Sequence, residues 1–318
     1  MLLNKKNKVM NCHFYRILRS QARSLCFGSM LGASLLVGCG GPEASELSVE
    51  EQVQAGVKAL QIFDFEQSRE ILLQAQPKVD VSDETLWTLA TYSYALSAWH
   101  DSPPVEENVL VAKAALQELI ERYPQSLYAS CALIDLGRMA EIKDFPHDEP
   151  DVETARDYYR QVIQEFPNSD MAVRATLNLA QTYAQELEES SVRQAIQLLE
   201  ERLPNLDSGW VGLYAQYIAQ LYAFYLKDHD AAIQPYLKAV DAGLPRASDG
   251  DVSLWQLGLL TEDVGQAMTA ARSYAKLIDA YPRSVYTTVA RQRLLAIAEQ
   301  NPAAEITIPE LPETTFGR

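Results

Sequence analysis

The chain has 318 residues, 47% of them hydrophobic, with 27 Lys and Arg against 43 Asp and Glu and a formal net charge of −16. A surface this acidic repels nucleic acid and bare anionic lipid headgroups, and it favours basic or neutral partners. The apolar content over this length is enough for a continuous core without disulfide support.

Residues 1–38 contain no acidic residue and six basic ones, Lys5, Lys6, Lys8, Arg16, Arg19 and Arg23. A 14-residue apolar run from Leu25 to Gly38 follows and closes on Leu36-Val37-Gly38-Cys39. A basic start, a short apolar stretch and small residues before a cut site predict a secretory signal, since a membrane span needs about 20 residues. The quartet resembles the lipobox of bacterial lipoproteins, which implies cleavage before Cys39 and acylation of that cysteine. Several acyl chains anchor firmly, each buried methylene adding about 0.8 kcal/mol. In such lipoproteins an Asp after the cysteine favours inner-membrane retention. Here Gly40 implies the outer membrane, at its periplasmic face. Loss of residues 1–38 removes six positive charges and takes the net charge from −16 to −22. Cys12 and Cys26 leave with the signal, Cys39 carries lipid, and Cys131 remains as a thiol among Ala129, Ala132 and Leu133, so no intrachain disulfide is expected. Residues 39–47 are the lipidated cysteine and a short leash.

From Ser48 the pattern is helical. In Glu153–Ser169 the apolar positions Ala155, Tyr159, Val162, Ile163 and Phe166 line one helix face; Pro167 stops the helix, and Ser169 stands where the next needs an N-cap. The arrangement recurs at Pro77, Pro124, Pro167, Pro204, Pro245 and Pro282, with steps of 47, 43, 37, 41 and 37 residues. Twelve before each proline stand Phe65, Ala112, Ala155, Val192, Ile233 and Ala270; five before stand Leu72, Leu119, Val162, Leu199, Val240 and Leu277. Eight before stand Arg69, Leu116, Tyr159, Ile196, Leu237 and Tyr274, with Arg69 the exception. A period of about 40 with one proline-terminated amphipathic helix per unit is the mark of an α-solenoid. The spacing predicts helix pairs at 48–61 with 65–76, 82–100 with 105–123, and 126–142 with 151–166. Further pairs are 169–187 with 191–203, 208–226 with 229–243, and 249–263 with 266–281. A capping helix is expected at 284–299. The whole is an all-α, single elongated repeat domain over 48–299 with about six hairpins. Residues 300–318, with Pro302, Pro309 and Pro312, are expected to be extended or disordered.

The residues at these offsets resemble the tetratricopeptide repeat. Leu136-Gly137, Leu179-Ala180 and Leu257-Gly258 match the Leu-Gly/Ala pair of its first helix, and Tyr183 its later aromatic. Tyr-Pro-Gln-Ser (123–126), Phe-Pro-Asn-Ser (166–169) and Tyr-Pro-Arg-Ser (281–284) are similar to repeats of envelope lipoproteins. Among these are the scaffold lipoprotein of the outer-membrane β-barrel assembly machine and the repeat domain of the Tol–Pal coordinator. Such a fold implies a concave groove lined by the first helices. Matching the chain to the repeat places Trp87, Ile134, Leu177, Gln216 and Trp255 along it, one turn before Thr91, Arg138, Gln181, Gln220 and Leu259. Apolar anchors beside groups able to bond a backbone suit a bound peptide, although each tryptophan taken singly suits packing between repeats slightly better. Trp210, Tyr214, Tyr217, Tyr222, Phe224 and Tyr225 are too many aromatics for one face of helix 208–226, so that helix is either buried on both sides or carries a sticky patch.

Nothing in the chain carries catalysis. There is no His-Glu-x-x-His, no Gly-x-Ser-x-Gly and no phosphate-cradling glycine loop. His147-Asp148-Glu149 reads as a solvated loop and Glu106-Glu107 and Glu188-Glu189 as helix-end charges. No enzyme activity, metal, cofactor, nucleic acid or small-molecule substrate is expected. The resemblance implies a non-catalytic scaffold at the outer membrane that binds other envelope proteins or peptides, in β-barrel assembly or a related complex. Two other readings stand beside it: a pilotin-like lipoprotein escorting a secretin or pilus component, and a cell-wall glycan-binding or glycan-cleaving protein on the same scaffold.

Overall fold

A computed structural model describes residues 47–102, 105–243 and 250–310. The expected signal 1–38, the lipidation site Cys39, the leash up to residue 46, Pro245 and the tail 311–318 lie outside the described residues. Among the described residues the regular structure is helical, with thirteen α-helices and no strand. They are α1 (Val49–Gln61), α2 (Phe65–Ala75), α3 (Glu84–His100), α4 (Glu106–Arg122), α5 (Leu127–Glu141), α6 (Val152–Glu165) and α7 (Asp170–Ala184). Then come α8 (Glu189–Arg202), α9 (Ser208–Gln220), α10 (His229–Ala242), α11 (Gly250–Asp263), α12 (Ala267–Ala280) and α13 (Thr287–Gln300). Each predicted hairpin is present, and the chain is a tetratricopeptide-like helical repeat fold. It forms two compact units, 1–162 and 163–318, with the boundary inside α6.

In unit 1, α1 packs on α2 and α3 on α4, while α2 and α4 each pack on the next first helix. Ser48 opens α1 with a capping box: its hydroxyl accepts from Glu51 N and its own amide donates to Glu51 Oε2 at 2.8 Å. Ser126 caps α5, accepting from Ala129 N at 3.0 Å. In unit 2, α7 pairs with α8, α9 with α10 and α11 with α12, and α13 packs on α12. There Ser169 caps α7 through Ala172 N at 3.1 Å, the role its place after Pro167 required. Ser284 behaves differently. Its hydroxyl donates to Asp251 Oδ2 at 2.6 Å, and α13 starts three residues later, at Thr287. After α13 the chain runs on without regular structure, and Ile306 and Ile308 pack against the core of the last hairpin.

Five of the second helices share one stripe, counted from the helix start, whereas α4 buries Val109, Ala112, Leu116 and Leu119. Ala155, Tyr159 and Val162 on α6, Val192, Ile196 and Leu199 on α8, and Ala270, Tyr274 and Leu277 on α12 are all buried. These follow the count back from proline. Two hairpins depart from it. On α2 the buried stripe is Ser68, Leu72 and Ala75, so Arg69 lies beside it, its Nε 3.0 Å from Asp101 Oδ2. On α10 the stripe is Ala232, Tyr236 and Ala239, one residue earlier than Ile233, Leu237 and Val240. The physical reason is that α10 ends on a left-handed Gly243 (φ 86), ahead of Pro245, so the proline no longer marks the stop.

A lock joins the two helices of three hairpins. A Cβ on Gly137 would lie 2.6 Å from Tyr159 Cε1, one on Gly258 2.2 Å from Tyr274 Cε1, and one on Gly56 2.5 Å from Leu72 Cγ. The missing side chain of the first helix is therefore the space that the large residue of the second helix fills. The tight turns are alike as well. Phe63 (φ 64), Leu187 (φ 62), Lys227 (φ 56) and Gly265 (φ 77) each sit two residues before a second helix, in the left-handed region. The fifth hairpin has two further irregularities: α9 runs on into a π-helical turn, Leu221–Leu226, and Pro235 lies inside α10.

Candidate protein-docking site

The first helices α3 and α5 are buried almost all round, because each is flanked by its own second helix and by neighbouring hairpins. This decides what the expected groove residues can do. In unit 1, Trp87 is 3% exposed, its ring 5.6 Å from that of Tyr123 with the Arg122 guanidinium 5.2 Å above. Thr91 is buried and accepts from Gln76 Nε2 at 3.1 Å. Ile134 is buried. Arg138 reaches the surface, its side chain 28% exposed, with Asp135 at 3.9 Å and the Trp99 ring at 5.7 Å.

Around Arg138 stand groups that the spacing did not single out. Tyr92 donates to Asp135 Oδ2 at 2.7 Å and Trp99 Nε1 to Asp144 Oδ1 at 3.1 Å. Tyr159 donates to Glu141, whose carboxyl burial pushes up against the opposing pull of that hydrogen bond and of Arg138. His100 stacks on Trp99 at 4.5 Å, and burial, helped by Arg138, brings it down to about 4, so it is neutral at pH 7. These side chains bond one another, and the cluster reads as packing and positioning.

In unit 2, Gln216 is buried, whereas Leu177, Gln181, Gln220, Trp255 and Leu259 are half-buried. Trp255 lies nearly parallel to Tyr286, 5.4 Å away at 13°, with the Arg293 guanidinium 5.7 Å from its ring. Arg293 Nη1 is 3.0 Å from Glu262 Oε2, which also accepts from Tyr274 at 2.8 Å. The hydrogen bond to Glu262 raises the Arg293 guanidinium above its usual range, while burial, aided by Glu262, raises the Tyr274 hydroxyl. Leu259 follows Trp255 by one turn of α11. Together they form a half-open aromatic face bordered by a cation and a carboxylate. It can cover an apolar side chain and offer both a donor and an acceptor to a peptide backbone. Tyr286 and Arg293 come from α13 and its approach. One sequence signal pointed here: Glu262 follows Gly258 by four residues, as Glu141 follows Gly137. The aromatics of α9 divide, Tyr214 being fully buried while Phe224 and Tyr225 are exposed.

Among the described residues no helix is long and apolar enough to cross a membrane, and no three His, Cys, Asp or Glu side chains are grouped to hold a metal. Cys131 is a buried free thiol.

Comparison with known proteins finds two families. The one described as YfiO, outer membrane lipoprotein, matches residues 147–311, and the tetratricopeptide repeat matches residues 108–126. No curated protein matches the chain. Among solved structures, one described as "Functional Characterization of Pseudomonas Aeruginosa pilF" is similar at 18% identity and a TM-score of 0.49, over 77% of this chain and 96% of that one.

Proposed function

The chain belongs to the YfiO outer membrane lipoprotein family, and from that premise we propose that it is a non-catalytic scaffold that docks other envelope proteins. Lipid on Cys39 holds it at the periplasmic face of the outer membrane, and a partner peptide lies along the first helices. Repeat proteins of this kind bind through such surfaces. The observation that carries the reading is the half-open cluster of Trp255, Tyr286, Arg293 and Glu262, which presents peptide-binding chemistry on a rigid hairpin. The half-buried Leu177, Gln181, Gln220 and Leu259 extend the surface along unit 2, and Arg138 is its counterpart in unit 1. The machine served is β-barrel assembly.

A pull-down from detergent-solubilised envelopes with the full-length lipoprotein tests this. Subunits of the barrel-assembly machine are expected with the native chain and are depleted by Arg293→Ala, which removes an exposed guanidinium and leaves the hairpin core intact. Retention of murein fragments alone would overturn the scaffold reading. Cys39→Ser is expected to release the protein from the membrane fraction, and persistence there would overturn the anchor.

A further inference from the structure

A cleft of about 890 Å³ opens in unit 2, walled by the second helices α8, α10 and α12. Its floor is apolar, with Ile218 from α9 and Leu254 and Leu257 from α11. The irregularities of the fifth hairpin shape it. Because the buried stripe of α10 is shifted by one residue, Leu237 and Val240 are only half-buried at the edge of the core, where they line the cleft. Pro235 has no N–H, so the carbonyl of Ala231 lacks its intrahelical donor, and both residues line the cleft. Half-buried apolar side chains thus line one space that nothing among the described residues fills.

The rim carries Lys238, Arg272 and Lys276 against Glu200 and Asp241. None of the three cations forms an ion pair among the described residues; Lys276 Nζ donates to the carbonyl of Val240 at 3.1 Å and Arg272 to Thr269 Oγ1 at 3.3 Å. On a chain of net charge −16, a net-positive rim with unpaired cations is a local reversal of sign. The walls are helices whose backbone groups are used internally, apart from Ala231 O. An extended strand would therefore find almost no main-chain partners here, and recognition must pass through side chains, as when a helix lies in a groove.

We propose that this cleft docks an acidic amphipathic helix of a partner protein. Its apolar side chains enter over the half-buried Tyr222, Leu237 and Val240, and its carboxylates meet Lys238, Arg272 and Lys276. The inference rests on the chain being a docking protein, yet it uses the second helices rather than the Trp255 cluster.

A photo-crosslinking phenylalanine analogue in place of the exposed Gln234, in the full-length lipoprotein in its native envelope, tests it. Mass spectrometry is expected to find a cross-linked protein segment of net negative charge, with apolar residues at a spacing of three and four. Lys238→Glu with Arg272→Glu, both at exposed positions, lowers the yield about tenfold. Lys238→Arg with Arg272→Lys keeps the yield, and the thermal melt of each variant verifies that the fold is intact. A basic cross-linked segment, a lipid adduct, no adduct, or indifference to charge reversal would overturn the proposal. Arg293→Ala leaves this cross-link in place and Lys238→Glu with Arg272→Glu leaves the barrel-assembly pull-down in place, so the two readings fail separately.

Discussion

The fifth and sixth hairpins stand next to each other in unit 2 and bury the same stripe, yet they are closed differently. On α12 the central residue of the stripe, Tyr274, fills the space left by Gly258 and bonds Glu262, which Arg293 holds from α13. On α10 the central residue is Tyr236, equally buried, and burial alone raises its hydroxyl. The sixth turn uses Gly265, while the fifth uses Lys227 after a π-helical turn. Burial of three positions is thus enough to make a hairpin. Polar closure and a relaxed turn are added where the surface must be rigid, and left out where a cleft opens.

The largest effect should come from breaking the closed hairpin. Gly258→Val places carbon where Tyr274 Cε1 would be 2.2 Å away, so the ring must leave its pocket. Overpacking of that kind costs about 3 kcal/mol, read as a lower urea midpoint followed through tryptophan fluorescence. An unchanged midpoint would mean that the glycine is not what closes the pair.

A pair of hydroxyl deletions sharpens the contrast. Tyr274→Phe removes a hydrogen bond to a carboxylate that is half open to water, and is expected to cost about 1 kcal/mol. Tyr236→Phe removes a hydroxyl that bonds no carboxylate among the described residues, so its effect should be smaller, near zero. The reverse order in thermal melts would erase the distinction between the two hairpins.

How much of this was legible follows from where the information lies. Each hairpin is local, and the spacing of Ala155, Tyr159 and Val162 before Pro167 gave helix, face and stop together. The count from proline went astray at two helices: at α10, which ends on Gly243, and at α2, which stops two residues before Pro77 as the others do but buries Leu72 rather than Arg69 at the centre of its stripe. Counting from the left-handed turn would have corrected both, but outside Gly265 that turn is made by Phe63, Leu187 and Lys227, which carry no turn signature. The cluster around Trp255 was half visible. Trp255 and Leu259 come from the repeat pattern, whereas Tyr286 and Arg293 reach them from the next helix. Conversely Trp87 fits the same pattern but lies under Tyr123 and Arg122, because its hairpin is covered on both sides.

The smallest effect concerns those turns. Leu187 sits at φ 62 and is 72% exposed, so it carries left-handed strain while burying little. An L-residue pays about 1 kcal/mol or more in that region, whereas glycine adopts it freely. Leu187→Gly relieves that strain, but glycine also loosens the unfolded chain, which offsets roughly 0.5–1 kcal/mol. The net expectation is a gain of about 0.5 kcal/mol, small enough to need paired melts under identical conditions. Gly265→Leu makes the reverse exchange at φ 77 and should lose about 0.5 kcal/mol, the strain of the left-handed turn outweighing the stabilisation from a more restricted unfolded chain. If Leu187→Gly destabilised the protein instead, the exposed leucine would have to be making contacts that its exposure denies, and the turn could not be treated as the independent, interchangeable element that the shared position of Phe63, Leu187, Lys227 and Gly265 implies.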